Sequence, residues 1–267
     1  MMDRYADMFA RLDAAGEGAF GAFVTLGDPD RETSARILDL LVAGGADMIE
    51  VGIPFSDPIA DGPVIQASAD RALRAGTRPR DCFELLRGFR ARHPHVPVGI
   101  LTYANLVLAD GRDAFYGRAA QAGVDSILVA DVPLLEAAPY VVAARDVGVA
   151  PVLIAAANTP PERLAQIAEL GGGYTYCVAR AGVTGADEQV RFDHRAMLEC
   201  LARHRAPPPI FGFGIGRPAH VEAALAAGAA GVVSGSAIVE RIAAGALDSL
   251  PGFIAEMKSA TRRRQAA

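Results

Sequence analysis

A chain of 267 residues with 51% hydrophobic and 21% charged residues has soluble globular proportions, and its 28 glycines and 17 prolines are spread along the chain rather than gathered in a linker, so one domain over 1–267 is the expectation. A net charge of -5 argues against a chain-wide nucleic-acid footprint. Cys82, Cys177 and Cys200 are odd in number and lack metal-type spacing, so neither a disulfide framework nor a zinc site is expected, which suits a reducing cytoplasm.

The opening stretch, MMDRYADMFARLDAAG, has acids among its first residues and no continuous apolar run, so it reads as neither a signal peptide nor a membrane anchor. Tyr5, Met8, Phe9 and Leu12 recur at helical spacing. They predict a helix packed on its own domain, with a partner-binding helix as the alternative.

From there one unit recurs: an amphipathic helical stretch, a glycine, then a short run rich in Val and Ile. LVAGGADMIEVGI, AAQAGVDSILVAD, ARDVGVAPVLIAA, IAELGGGYTYCVA and ALAAGAAGVVSGS all follow it. The glycine suits a helix C-cap, and the run suits a strand covered on both faces. Strands are predicted at 20–26, 48–53, 98–103, 126–130, 151–155, 174–178, 210–213 and 231–234. Eight parallel strands alternating with helices in about 250 residues describe a (β/α)8 TIM barrel with an additional N-terminal helix better than a flavodoxin-like or Rossmann sheet. At the chain's end Arg262, Arg263 and Arg264 form the only basic run, expected to be a solvated helix end.

Alternation along each strand then divides its residues between two faces. Ile49, Val51 and Ile53 form a branched aliphatic face suited to the outer helices, which leaves Met48, Glu50 and Gly52 pointing inward. The same division places Phe23 and Thr25, Leu101 and Tyr103, Leu128 and Ala130, Tyr176, and Phe213 inward near strand C-terminal ends. Barrel active sites lie at that end, so the expectation is an apolar, partly aromatic pocket holding one carboxylate, suited to proton transfer on a flat hydrophobic substrate.

Three glycine-containing segments follow the last three strands: AGVTGAD (181–187), FGFGIGRP (211–218) and SGSAIVERI (234–242). Gly214 and Gly216 allow backbone N–H groups close to an anion, and Gly235 with Ser236 opens a helix whose dipole favours negative charge, so a phosphate cradle is expected there. Lys258, the only lysine, falls in the final helix far from any strand end, which argues against Schiff-base and pyridoxal chemistry. His93 and His95 precede the third strand, and His194, His204 and His220 lie in or beside helices, so no metal site is expected. Metal-free acid/base chemistry is left, with Glu50 and Asp61 as its carboxylates. Among apolar side chains Glu50 should have a raised pKa; the alternative is a buried ion pair with an arginine. Asp61 and Asp57 also suit plain turn roles in PFSDPIADGP.

GAFVTLGDPD, IEVGIPFSDPIADGPVIQ, YANLV, GVDSILVADVP, GYTYCVARAGVTG, GFGI and GSAIVERI, in this order over nearly the whole chain, resemble the tryptophan synthase alpha subunit family. The resemblance implies cofactor-free retro-aldol cleavage of indole-3-glycerol phosphate to indole and glyceraldehyde 3-phosphate. It implies Glu50 as the general acid/base, Asp61 as the carboxylate on the indole N–H, and Tyr176 as the active-site tyrosine. Phe23, Leu101, Ala130, Ile154 and Phe213 would line the indole pocket beside the inward-facing Tyr103, and Gly185, Gly214, Gly235 and Ser236 would cradle the phosphate. Thr184 would meet Asp61 when the loops after strands two and six close. Pro54, Phe55, Asp57 and Pro58 would dock on a pyridoxal-dependent beta subunit in an alpha2-beta2 complex that receives the indole. This sequence departs from the family pattern in AAAN after strand five and at Ala181, which bear on closure and on activation by the partner. A stand-alone indole-releasing lyase, another phosphate-binding barrel isomerase and a non-catalytic barrel that activates a partner are the competing readings.

Overall fold

The computed structural model describes residues 3–178 and 194–262. Nine strands form one parallel sheet: β1 (Ala19–Thr25), β2 (Met48–Gly52), β3 (Val98–Thr102), β4 (Ser126–Val129), β5 (Ala150–Pro151), β6 (Leu153–Ala156), β7 (Thr175–Val178), β8 (Pro209–Gly212) and β9 (Gly231–Ser234). Their lateral order is β5-β4-β3-β2-β1-β9-β8-β7-β6. β5 and β6 are two pieces of one segment: Ala150 and Pro151 pair with β4, whereas 153–156 pair with β7. The segment therefore joins the two edges of the sheet, and the expected eight-stranded TIM barrel closes there. The sequence predicts one unbroken strand at this point. Pro151 has no N–H to give a ladder, and the pairing changes partner after Val152, whose N–H still donates to the Ile127 carbonyl of β4.

The predicted division of each strand into two faces matches the packing except on β8, where Ile210 faces the barrel and Phe211 the helices, so that Phe213 shares the outward parity and reaches the inner core only beyond the strand's end at Gly212. Ile49, Val51, Ile53, Phe20, Val24 and Ile100 belong to the apolar layer between sheet and helices, with Leu38, Leu41, Phe83 and Phe89 among their helical partners. Phe23, Met48, Leu128, Tyr174, Tyr176, Ile210 and Val233 fill the barrel, with Leu101, Ala130 and Phe213 partly buried against them. The helix Arg4–Ala14 closes the N-terminal end of this inner core through Tyr5, Met8 and Leu12, which settles the role of the first helix as internal packing. Its N-cap Asp3 accepts from the Ala6 N–H, satisfying one of the donors a first turn leaves open. Tyr5 Oη lies 2.8 Å from Ser126 Oγ. A Cβ on Gly99 would stand 2.5 Å from that Ser126 oxygen and 3.1 Å from the Tyr5 hydroxyl, so the pair requires glycine there.

Carboxylates at the N-terminal face serve the scaffold. Asp125 takes Arg4 and Arg90 together with the Val98 N–H. Asp47 takes Arg11, Lys258 and the Phe20 N–H, so Lys258 is a structural cation at the end of the barrel opposite the strand C-termini. Arg262 reaches Glu17 at 3.6 Å, while Arg263 and Arg264 lie outside the described residues. His93 bonds Asp39 rather than standing free in solvent. Among the described residues no helix is long and apolar enough to cross a membrane.

Candidate active site

Because every strand runs the same way, their C-terminal ends share one rim, and a cavity of about 260 Å³ opens there. Phe23, Glu50, Asp61, Leu101, Tyr176 and Phe213 line it, with Gly214, Gly216, Gly235 and Ser236 on one side. Most of the residues chosen from sequence are thus brought together. Tyr103 stands behind Asp61, donating its hydroxyl to Oδ2 at 2.8 Å. Ala130 and Ile154 do not reach this cavity; they border a second one of about 360 Å³ beyond the ends of β4 and β6, and Ile154 is 37% exposed. Thr184, Gly185 and Ala181 lie outside the described residues.

Glu50 is buried at the middle of β2, in register with Phe23 of β1 and Gly99 of β3. Among the described residues four acids are buried, and the other three, Asp28, Asp47 and Asp81, each pair with arginine or lysine. Glu50 has no such cation among the described residues. Its partner is Tyr174, whose hydroxyl donates to Oε1 at 2.5 Å, while Oε2 is buried with no hydrogen-bond partner. The ion-pair alternative is therefore not what the structure holds. Loss of solvation pushes the Glu50 pKa up to about 7, against the Tyr174 hydrogen bond, with the Asp61 charge adding to the rise. A carboxyl titrating there can deliver and accept a proton near neutrality.

Sequence alone gives no sign that Tyr174 belongs to the site. It lies two residues before Tyr176, hence on the same strand face, and its contact with Glu50 spans 124 positions. Its ring packs 5.4 Å from that of Tyr5, so the N-terminal helix supports the residue that holds Glu50. Asp61 sits on the loop after β2, its pKa raised by burial although the Tyr103 hydroxyl opposes the rise. The same hydroxyl accepts from the Ala60 N–H at 3.2 Å, and Phe55 packs on the Tyr103 ring at 5.4 Å, fixing the loop from two sides. Pro54 is buried, leaving Asp57, Pro58 and the 73% exposed Ile59 as the outward part of that loop.

The aromatic walls depend on glycines and on one unusual backbone angle. A Cβ on Gly212 would fall 1.9 Å from the Tyr176 hydroxyl, and one on Gly52 would fall 3.0 Å from Phe23 Cζ. Phe213 adopts φ 68, a left-handed conformation costly for a bulky side chain, and Gly214 follows at φ 76. This turn sets the Phe213 ring edge-on to Tyr176 at 6.0 Å. The helix Ser236–Ala243 begins at Gly235 with no side-chain cap, so its first N–H groups stay available beside the cavity. Ser234 donates to the Ile215 carbonyl at 2.6 Å, tying the end of β9 to the loop after β8. Gly216 departs from the predicted cradle, because its N–H already donates to His220 Nδ1 at 3.3 Å.

The family model of the tryptophan synthase alpha chain matches residues 9–265. The tryptophan synthase alpha chain of Shewanella amazonensis is 53% identical over 266 residues, covering 100% of each chain. That of Photobacterium profundum is 52% identical, over 98% of this chain and 99% of its own. Among solved structures, Mycobacterium tuberculosis tryptophan synthase superposes with TM-score 0.89 at 30% identity, covering 98% of this chain and 100% of that one. A chain of the tryptophan synthase a2b2 complex from Pyrococcus furiosus does so at 0.83 and 38%, covering 91% and 98%. With an uncapped helix end, a desolvated carboxyl and full-length likeness converging on one rim, the chain belongs to the tryptophan synthase alpha chain family.

Proposed function

We propose that the chain cleaves indole-3-glycerol phosphate to indole and glyceraldehyde 3-phosphate without a cofactor. The observation that carries this reading is Glu50: buried, lacking any cation partner among the described residues, and with an unpartnered Oε2 beside an aromatic cavity. The indole lies between Phe23, Leu101, Tyr176 and Phe213, and the phosphate on the Gly235–Ser236 helix start. Protonated Glu50 delivers its proton to ring carbon C3, and the indole nitrogen takes up the positive charge. Asp61 accepts the indole N–H hydrogen bond and stabilises that charge. As the bond from C3 to the glycerol carbon breaks, its electron pair restores the aromatic ring, and the hydroxyl on that carbon loses its proton to Glu50 and becomes the aldehyde. Water in the slot would compete for the proton, which accounts for an acid on a strand that otherwise reads as core.

The indole passes to a beta subunit in an alpha2-beta2 complex. Support comes from the Pyrococcus furiosus complex among the structural neighbours and from apolar side chains exposed beyond the strand ends, Ile59, Leu108 and Leu135. Purified chain should release indole from indole-3-glycerol phosphate, and added beta subunit should accelerate release. Glu50→Gln should bind the substrate and release almost none; wild-type turnover in that variant refutes the assignment.

A further inference from the structure

The phosphate end of the cavity carries charged side chains besides its backbone donors: Arg217, Glu240 and Arg241, with His220 beside them. They are not equivalent. Arg241 is committed, donating through Nη1 to the Ala237 carbonyl at 2.7 Å with its guanidinium 3.8 Å from the centre of the Phe253 ring. His220 is engaged by the Gly216 N–H. Glu240 is exposed and sets a negative charge on the rim, which works against an anion. Arg217 is exposed at the N-cap of the helix Pro218–Ala226 and makes no side-chain capping bond. No ion pair engages it among the described residues.

A phosphate ester carries roughly 1.5 to 2 negative charges near neutral pH. The end of one helix offsets only about half a charge. A cradle of backbone donors thus leaves charge uncompensated, and Glu240 adds to the deficit. We propose that Arg217 is a substrate-binding residue whose guanidinium pairs with the substrate phosphate over the start of the helix Ser236–Ala243. This rests on the indole-3-glycerol phosphate reading and extends it: the loop after β8 contributes a side-chain cation as well as its glycine backbone. A guanidinium suits the role because its planar fork can present two donors to two phosphate oxygens. Its exposure makes the contact sensitive to salt.

The test is calorimetric titration of the full chain with sn-glycerol 3-phosphate, and with indole as an uncharged control. Arg217→Gln should bind glycerol 3-phosphate about fivefold more weakly at low ionic strength. The gap should narrow as salt is added, and indole affinity should not change. Arg217→Lys should recover part of the loss, and Glu240→Gln should bind about twofold more tightly than wild type. In turnover of indole-3-glycerol phosphate, Arg217→Gln should raise KM and leave kcat in place. Equal glycerol 3-phosphate affinity for Arg217→Gln and wild type at low salt overturns the proposal, as does an equal loss for indole, which would signal distortion of the whole cavity. If the wild type fails to cleave indole-3-glycerol phosphate while Arg217→Gln still shows the salt-dependent loss, the substrate reading falls and the phosphate contact stands.

Discussion

Replacing Glu50 by Gln should stabilise the fold at alkaline pH while removing the acid. Burial raises the Glu50 pKa from 4.5 to about 7, so the folded protein favours the neutral carboxyl. Below pH 4.5 the group is protonated in both folded and unfolded chains and costs nothing. As pH rises from there to 7 the unfolded chain ionises first, and the folded state loses stability relative to it. Above 7 the full cost stands, the difference between 4.5 and 7 corresponding to about 3 kcal/mol. Gln has nearly the same shape, carries no charge at any pH and still offers a carbonyl oxygen to the Tyr174 hydroxyl. Spread over the unfolding entropy of 267 residues, that difference is about 5 °C in Tm. Differential scanning calorimetry of the two proteins at pH 5 and pH 8.5 should give nearly equal Tm at pH 5 and a higher Tm for the variant at pH 8.5. A variant that melts no higher at pH 8.5, or a gap independent of pH, would refute the claim that desolvation of this carboxyl sets its proton affinity.

Tyr174→Phe removes the one hydrogen bond that holds the Glu50 pKa down, so the alkaline limb of the kcat/KM profile for indole release should move up by about one pH unit. An unmoved limb would show that Tyr174 does not act on the acid. Asp61→Asn removes the neighbouring negative charge that raises the Glu50 pKa, so the limb should shift to lower pH, the reverse of the tyrosine variant, with a large loss of kcat. A shift upward, or wild-type kcat, contradicts that account. Gly212→Ala places a methyl 1.9 Å from the Tyr176 hydroxyl, which must move. About 2 kcal/mol of stability should be lost in denaturant unfolding, with at least a tenfold fall in kcat/KM; unchanged values for both would mean that the ring position is immaterial.

How far the site can be read from sequence follows from which rule governs each residue. Alternation on a strand is a local rule with period two, so one inward carboxylate at position 50 suffices to orient β2, and the same parity finds Phe23, Leu101 and Tyr176, whereas Phe213 shares the parity of the outward Phe211 and enters the cavity through its left-handed turn. The parity also holds for Ile154 with respect to Val152, yet Ile154 ends 37% exposed, because the segment changes pairing partner after Val152 and carries the side chain away from the main cavity. Contacts made across the barrel are not local. Nothing in the spacing between Glu50 and Tyr174 shows that they meet; only the parity shared with Tyr176 would have placed Tyr174 on the inner face at all. The left-handed turn at Phe213 was equally hidden, since a phenylalanine gives no sign of positive φ and only the glycine after it hints at a turn.

The arrangement of buried charge then separates scaffold from site. An acid taken out of water costs several kcal/mol unless a cation or a set of donors replaces its hydration. Asp28, Asp47 and Asp81 satisfy that condition with arginine or lysine, and Asp125 does so at the same end of the barrel as Asp47. Among the described residues Glu50 and Asp61 instead have only tyrosine hydroxyls, one each. A hydroxyl orients a carboxyl without fixing its charge, whereas an arginine would hold it ionised and unable to give up a proton. Placing a cation beside Glu50 would stabilise the fold and hold the carboxyl ionised, so the proposed chemistry depends on there being none among the described residues.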